Sequence, residues 1–470
     1  MTGEISLDPS LERRRAWLIE LALLCCYVFF FYRGGNWNVE ARNAQIVALA
    51  DDHTLAIDPY HLWTGDEAYY RGHYYSDKLI GPSLVAVPFY WVSRKLLEAA
   101  GLAPTYALML ALRIANVFAN AVPSALLGGL LYLFLAELGL APALRVWLAL
   151  AYGFGTLALP YSTSLFGHQF GAVCAFSSFM LLWRQRQGWS ASRVVAAGAL
   201  AGLGAISDFT TMLIACFLGL YAVWVSSGRA AGAPVGFGLA VGRVALFGLF
   251  AFLPVSLQLA ANWSSFGSPL VFPHIYHVQP SFRARHTSGL LGVHLPRLEP
   301  LYQLTVGWWR GLFCASPVLL LALPGFFLLG RARRVEAALI AAAWLGVLLM
   351  NAGYENWTAG SAYGPRYQIP ALPFLIVAVA PAARRWPFVF KALAVISITF
   401  TAIVTAHSPF VPESLRNPLA VGLAEFSTGQ LLHGNLGKSI GLPGLASLLP
   451  LVAVEAAFLY ALAGLSARER

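Results

Sequence analysis

Five of the seven aspartates in this chain, Asp51, Asp52, Asp58, Asp66 and Asp77, fall between residues 33 and 111, together with Glu40 and Glu67. Carboxylates gathered in this way either carry the ordinary charge of a solvated loop or take a proton from an attacking hydroxyl as general bases. Glu40 belongs to "NWNVEARNAQIVALA", just beyond an apolar run, which reads as a helix lying along a membrane with Glu40 and Asn43 on one face. A carboxylate at that boundary is placed as a base, with Asp66 and Asp58 downstream as further candidates. Lys78 follows Tyr75 and other aromatics in "HYYSDKLIGP" and opens a helix, so its ammonium suits a phosphate at headgroup depth. The alternative is a snorkelling anchor. His168 in "STSLFGHQFGA" and Asp208 in "AISDFTT" stand at the ends of apolar runs, where ionisable groups are functional by default. Asp208 also reads as a helix cap, and His168 as a packing residue. In "YENWTAGSAYGPRYQIPALPF", Trp357, Tyr363 and Tyr367 flank Arg366, a guanidinium fork suited to a phosphate between aromatic walls, or an interfacial anchor. Arg310 in "RGLFCASP" repeats that arrangement.

The elements that must position these groups are membrane helices. Of the 470 residues 58% are hydrophobic and 11% charged, and the mean hydropathy is +0.66. That composition excludes an ordinary soluble domain, for which about 25% charged residues is usual. Apolar runs near 16–32, 112–136, 143–160, 168–185, 193–206, 209–227, 240–261, 315–330, 335–353, 369–383, 388–406 and 441–465 predict about twelve spans. The fold class expected is therefore all-α and polytopic, one membrane domain over 1–470 with no internal repeat. The basic loops "LERRR", "RQRQGWSASR", "RARR" and the closing "SARER" fall on one side, which the positive-inside rule makes cytoplasmic. Two long extracytoplasmic segments result, 33–111 and 262–316, and the apolar stretch "LIGPSLVAVPFYWVSRKLLEAAG" reads as an interfacial or re-entrant helix in the first. The net charge of +10 is scattered through short loops, which argues for lipid headgroups and against nucleic acid. The five cysteines show no metal-ligand spacing. No cleavable signal peptide is evident after the first run.

Together "VEARNAQIVALA", "GHYYSDKLIGPSLVAVPFY", "RGLFCASPVLLLALPG" and "WTAGSAYGPRYQIPALPF" resemble the bacterial GT-C glycosyltransferases, in the group of protein O-mannosyltransferases and the lipid A aminoarabinose transferase. The resemblance implies an enzyme of the bacterial inner membrane with its site on the extracytoplasmic face. Such enzymes move a sugar from a polyprenyl-phosphate donor to a lipid, glycan or protein acceptor, usually with inversion. It further implies Glu40 as the base, Lys78 and Arg366 on the carrier phosphate with His168 and Arg310, and Tyr75, Trp357, Tyr363 and Asp208 lining the substrates. Val39 and Leu79 depart from the family pattern, which carries an aspartate before the glutamate and a proline after the lysine; the base therefore stays open among Glu40, Asp66 and Asp58. No cofactor and no metal ligand is assigned, and a divalent metal requirement stays open. The competing readings are a transporter or flippase of lipid-linked sugars, and a polysaccharide polymerase or ligase acting through the 262–316 loop with its Arg283, Arg285, His286 and Arg297.

Overall fold

A computed structural model describes residues 8–467. Most of the closing basic run "SARER" lies outside the described residues. Every apolar run becomes helical: Pro9–Phe29, Pro104–Ala136, Pro142–Gly155 followed by Ala158–Ser162, Gly167–Trp183, Ala191–Ala205, Phe209–Ser226, Phe237–Phe266, Pro317–Ala332, Arg334–Gly353, Arg366–Arg385, Pro387–His407 and Gly444–Leu465. Among the described residues, seven helices are long and apolar enough to cross a membrane by themselves. The remaining runs fall short of that measure for simple reasons. Pro9–Phe29 opens with charged residues, and others, such as the 15-residue Ala191–Ala205, are short. The chain is an all-α integral membrane protein.

Small residues set the helix approach. Ala191–Ala205 lies on Phe237–Phe266 through Gly198 and Gly202, where an added Cβ would come within 2.4 Å of the Phe247 carbonyl oxygen and 2.0 Å of that of Ala251. This small-xxx-small spacing lets two backbones meet where lipid gives no hydrophobic drive between helices.

The segment after the first helix is ordered in three pieces. Trp37–Asp51 is a helix whose Asn36 side chain accepts from the backbone N–H groups of Asn38 and Val39. Glu67–Tyr70 and His73–Ser76 form an antiparallel hairpin closed by Arg71 and Gly72, both at positive φ, as a two-residue hairpin turn requires. Gly81–Ala99 is a helix with Pro88 inside it, joined by residues 100–103 to Pro104–Ala136. The latter has 33 residues, which makes it about 50 Å long and clearly longer than a hydrocarbon core of about 30 Å. Arg113 donates to the Val28 carbonyl at 3.2 Å, which levels residue 113 with the last turn of Pro9–Phe29. The turns before Arg113 extend past that level, and there they pair with Gly81–Ala99. Both members expose large apolar side chains, Trp91 and Leu96 on one and Tyr106 and Met109 on the other. The pair suits an interfacial bed better than a full crossing. The second long segment starts later than the sequence suggested, because Phe237–Phe266 carries the chain to Phe266 before the short helices Pro280–Thr287 and Leu298–Thr305.

Sidedness is tested with single cysteines in a background whose five native cysteines are replaced. Leu62 is 86% exposed, and Ser361 and Ser192 are exposed. Leu62→Cys and Ser361→Cys are expected to react with an impermeant maleimide in intact cells, and Ser192→Cys only after permeabilisation. Labelling of Ser192→Cys from outside would invert or break this topology.

Candidate active site

At one end of the bundle, segments far apart in sequence enclose a cavity of about 860 Å³. Its charged lining comes from Arg42, Asp66, Asp77, Lys78, Asp208, Arg366 and Glu413, with His168, His274 and His286 beside them. Local rules explain how each is placed. The hairpin register pairs Glu67 with Ser76, so the flanking Asp66 and Asp77 emerge side by side at its open end. Thr64 Oγ1 accepts from Asp66 N at 3.0 Å and donates to the Trp37 carbonyl at 2.8 Å, which ties this end of the hairpin to the first-loop helix. Gly81 donates its N–H to the Ile206 carbonyl at 2.9 Å, an approach that a Cβ at 2.7 Å from that oxygen would block. A Cβ at Gly167 would come within 2.1 Å of the Ser207 carbonyl oxygen. These two glycines seat Lys78 and His168 on either side of the turn that carries Asp208.

The charges are closely paired. Lys78 Nζ lies 2.6 Å from Asp66 Oδ2 and 2.8 Å from Asp77 Oδ1, with all three side chains largely buried. Burial raises the proton affinity of Asp77, but the Lys78 ammonium, His274 and His277 more than offset it and hold the carboxyl well below the usual range. For Lys78, burial favours the neutral amine, and Asp66 and Asp77 overcome it, leaving the ammonium above its ordinary value. Burial pushes His274 down to about 3, despite the attraction of Asp77. Asp208 caps a helix, as one of its two readings expected, and also lines the cavity. Its Oδ2 accepts from Thr210 N at 3.0 Å and caps Phe209–Ser226, while its Oδ1 stands 2.8 Å from His168 Nδ1, close enough for electrostatic contact but poorly aligned for a hydrogen bond. The Arg366 guanidinium lies 5.5 Å from the Phe166 ring and 5.7 Å from the Tyr367 ring. Its Nε, like that of Arg42, is buried with no hydrogen-bond partner among the described residues.

Of the residues given a catalytic or binding role from sequence, Asp66, Lys78, His168, Asp208 and Arg366 line the cavity, joined by Asp77, Tyr367 and His286, which were noted without such a role. The others stand elsewhere. Glu40 is off the lining and accepts from Asn43 Nδ2 at 3.0 Å, on a helix that turns Asn38 and Arg42 inward instead. Asp58 closes the hairpin region, its oxygens 2.7 Å from His73 Nδ1 and 2.7 Å from Tyr74 N. Tyr75 packs on Phe266, and Trp357 lies edge-on to Trp309. Tyr363 is buried behind the wall, its carbonyl accepting from the Tyr161 hydroxyl at 3.0 Å. Tyr354 and Tyr367 are the tyrosines that line the cavity. Sequence reasoning passed over Arg42, although it lies within "VEARN", and over His274 and His277, whose H-x-x-H spacing in "FPHIYHV" was the available signal.

Arg310 is fully buried and donates to the carbonyls of Ala362 and, at 2.7 Å, Gly360. It supports the loop ahead of Arg366 from behind and is not part of the lining. Arg310→Met is expected to lower stability by about 3 kcal/mol, the cost of leaving buried carbonyls unpaired with their guanidinium removed. Thermal unfolding in detergent reads that loss, and an unchanged midpoint would show that the loop holds without it.

Asp66, Asp77 and His277 offer ligand atoms within 4.8 Å of one another, as a metal ion requires. Two features oppose that use. The Lys78 ammonium already contacts both carboxylates, and His277 Nδ1 accepts from Gln279 N at 3.0 Å, so in the neutral ring Nε2 carries the proton toward Asp77. The residues present fit an ammonium better than a divalent ion.

No family model matches the chain, and no curated protein matches it. Among solved structures it is similar to the crystal structure of ArnT from Cupriavidus metallidurans in the apo state. The two share 16% identity and a TM-score of 0.46, over 95% of this chain and 74% of that one. A likeness this distant transfers no residue role.

Proposed function

We propose that this chain is a membrane glycosyltransferase that moves a sugar from a polyprenyl-phosphate donor to an acceptor at the extracytoplasmic face of a bacterial inner membrane, with inversion. The observation that carries this reading is the division of one cavity. One part of it presents Lys78, Arg42 and Arg366 with Asp66, and its wall continues along a spanning helix through Met212, Leu213 and Cys216, with Met350 on the helix packed beside it. A charged sugar phosphate on an apolar tail needs both environments in one place.

In the reaction proposed, the donor phosphate draws the Lys78 ammonium away from Asp66, which frees that carboxylate for the acceptor. Asp66 takes the acceptor hydroxyl proton, the oxygen bonds to the anomeric carbon, and the bond from that carbon to the phosphate oxygen breaks with its electron pair on phosphate. Lys78, Arg366 and Arg42 stabilise the charge that grows there, which is transition-state stabilisation by donors already in place. Asp66 stands here in place of Glu40 and Asp58 because it alone of the three lines the cavity. Lipid, glycan and protein acceptors all present the required hydroxyl or equivalent oxygen.

The test is incubation of purified protein with a panel of radiolabelled polyprenyl-phosphate sugars and a membrane extract. Label is expected to pass from one donor into an acceptor fraction. Absence of transfer from every donor, with labelled lipid crossing proteoliposomes instead, would replace the enzyme by a flippase.

A further inference from the structure

A second cationic site stands outside the cavity. The strand Phe30–Phe31 pairs antiparallel with Gly434–Asn435, which brings the late loop carrying Lys438 against the end of the first helix. Gly434 allows this, since a Cβ there would meet the Phe31 ring at 2.7 Å. Around Phe31 the Arg33 guanidinium lies 5.7 Å and the Arg113 guanidinium 3.9 Å from the ring centroid. Lys438 Nζ is fixed by the carbonyls of Leu431 and His433. None of the three cations lies within ion-pair distance of a carboxylate among the described residues. Arg33 and Lys438 are close enough to act on one another. Burial lowers the Lys438 ammonium and Arg33 lowers it further, while His433 is pushed down to about 4 by burial, with Lys438 and Arg33 adding to the effect. Arg33 thus links the two others, sharing the Phe31 ring with Arg113 and repelling Lys438, and like charges so placed are relieved by a shared anion.

We propose that Arg33, Arg113 and Lys438 form a binding site for the phosphate of an anionic phospholipid headgroup. Depth and surroundings favour a lipid over a free anion. Arg113 is level with the last turn of Pro9–Phe29, where a bilayer places its phosphates. On its own helix Tyr106, Met109 and Leu110 on one side of it and Phe118 on the other are exposed apolar surface for acyl chains. A snorkelling arginine explains one such residue, not two on one ring with a lysine of the paired loop beside them.

The test uses the full chain purified with mixed dioleoylphosphatidylglycerol and dioleoylphosphatidylcholine, with retained lipid counted by native mass spectrometry. Phosphatidylglycerol is expected to be retained several-fold over phosphatidylcholine, and each of Arg33→Gln, Arg113→Gln and Lys438→Gln to weaken its retention about fivefold, as one interfacial charge does. The charge-keeping Arg113→Lys and Lys438→Arg variants should retain it. Equal retention of the two lipids, or wild-type retention in the triple glutamine variant, would overturn the site. Release of phosphatidylglycerol by millimolar inorganic phosphate would assign the cations to a free anion and overturn the lipid. Because lipid retention is read without sugar transfer, failure here leaves the proposed enzymatic reaction standing, and the converse also holds.

Discussion

Asp66→Asn protein is expected to turn over about two to four decades more slowly than the unsubstituted chain, the usual contribution of a general base. Donor binding should persist, because asparagine keeps the shape and an acceptor oxygen for Lys78 but cannot accept the proton. Glu40→Gln serves as the comparison. Its side chain meets Asn43 off the cavity, so transfer should stay within about tenfold of wild type, a modest loss beside that of a catalytic base. Single-turnover transfer from a labelled donor, with donor affinity measured separately, distinguishes the two. Near-full activity in Asp66→Asn beside a dead Glu40→Gln would return the base to the first-loop helix and refute the assignment made from the cavity.

Lys78→Met should fail in two measurable ways. Removing a charge-assisted contact to phosphate is expected to weaken donor binding about tenfold to a hundredfold, with a further loss of rate as the leaving phosphate gains charge. The same change strands two buried carboxylates. Breaking a buried pair by removing one partner costs about 3–5 kcal/mol, so the variant should also unfold at a lower temperature. The pH dependence fixes the cause. In the native chain Asp77 is held below its ordinary range, so its stabilisation is fully present above that range and is lost only as pH falls below it toward the depressed folded-state value. Without the ammonium, burial raises the Asp77 carboxyl instead, and protonation then relieves the variant. The gap in melting temperature between wild type and Lys78→Met should therefore narrow as pH falls from about 7.5 toward the ordinary aspartate range near 4. A gap that is constant over this span would mean that Lys78 acts through packing and not through its charge.

Most of the residues proposed from sequence that line the cavity share one property, an ionisable group standing among apolar neighbours. Lys78, His168, Asp208 and Arg366 sit at the ends of helices or apolar runs, and a polar group in such a place is conspicuous from its immediate neighbours in the chain. The helices themselves were equally legible, since every apolar run folded as helix, although 143–160 is broken in two, because a span must satisfy its backbone hydrogen bonds within itself. Residues inside ordered loops were harder to judge. Trp357 and Tyr363 have the composition of a substrate wall, yet they pack behind the loop whose front carries Arg366.

From the sequence alone followed the class of protein, the order of apolar helices, and the gathering of carboxylates in the first loop; of the twelve spans expected, seven among the described residues are long and apolar enough to cross by themselves. These depend on composition and on runs of neighbours, which the chain carries locally. Only the tertiary structure decided which charges share a cavity. Glu40 and Arg42 are two positions apart, about 200° around a helix, so the choice between a carboxylate and a guanidinium facing inward rests on which side of Trp37–Asp51 meets the bundle. Asp66 and Asp77 became neighbours through a hairpin register, and His274 and His277 reached Asp77 from a loop nearly two hundred residues later in the chain. Contacts of that separation are set by the packing of helices and loops against one another, and no local pattern in the sequence records them.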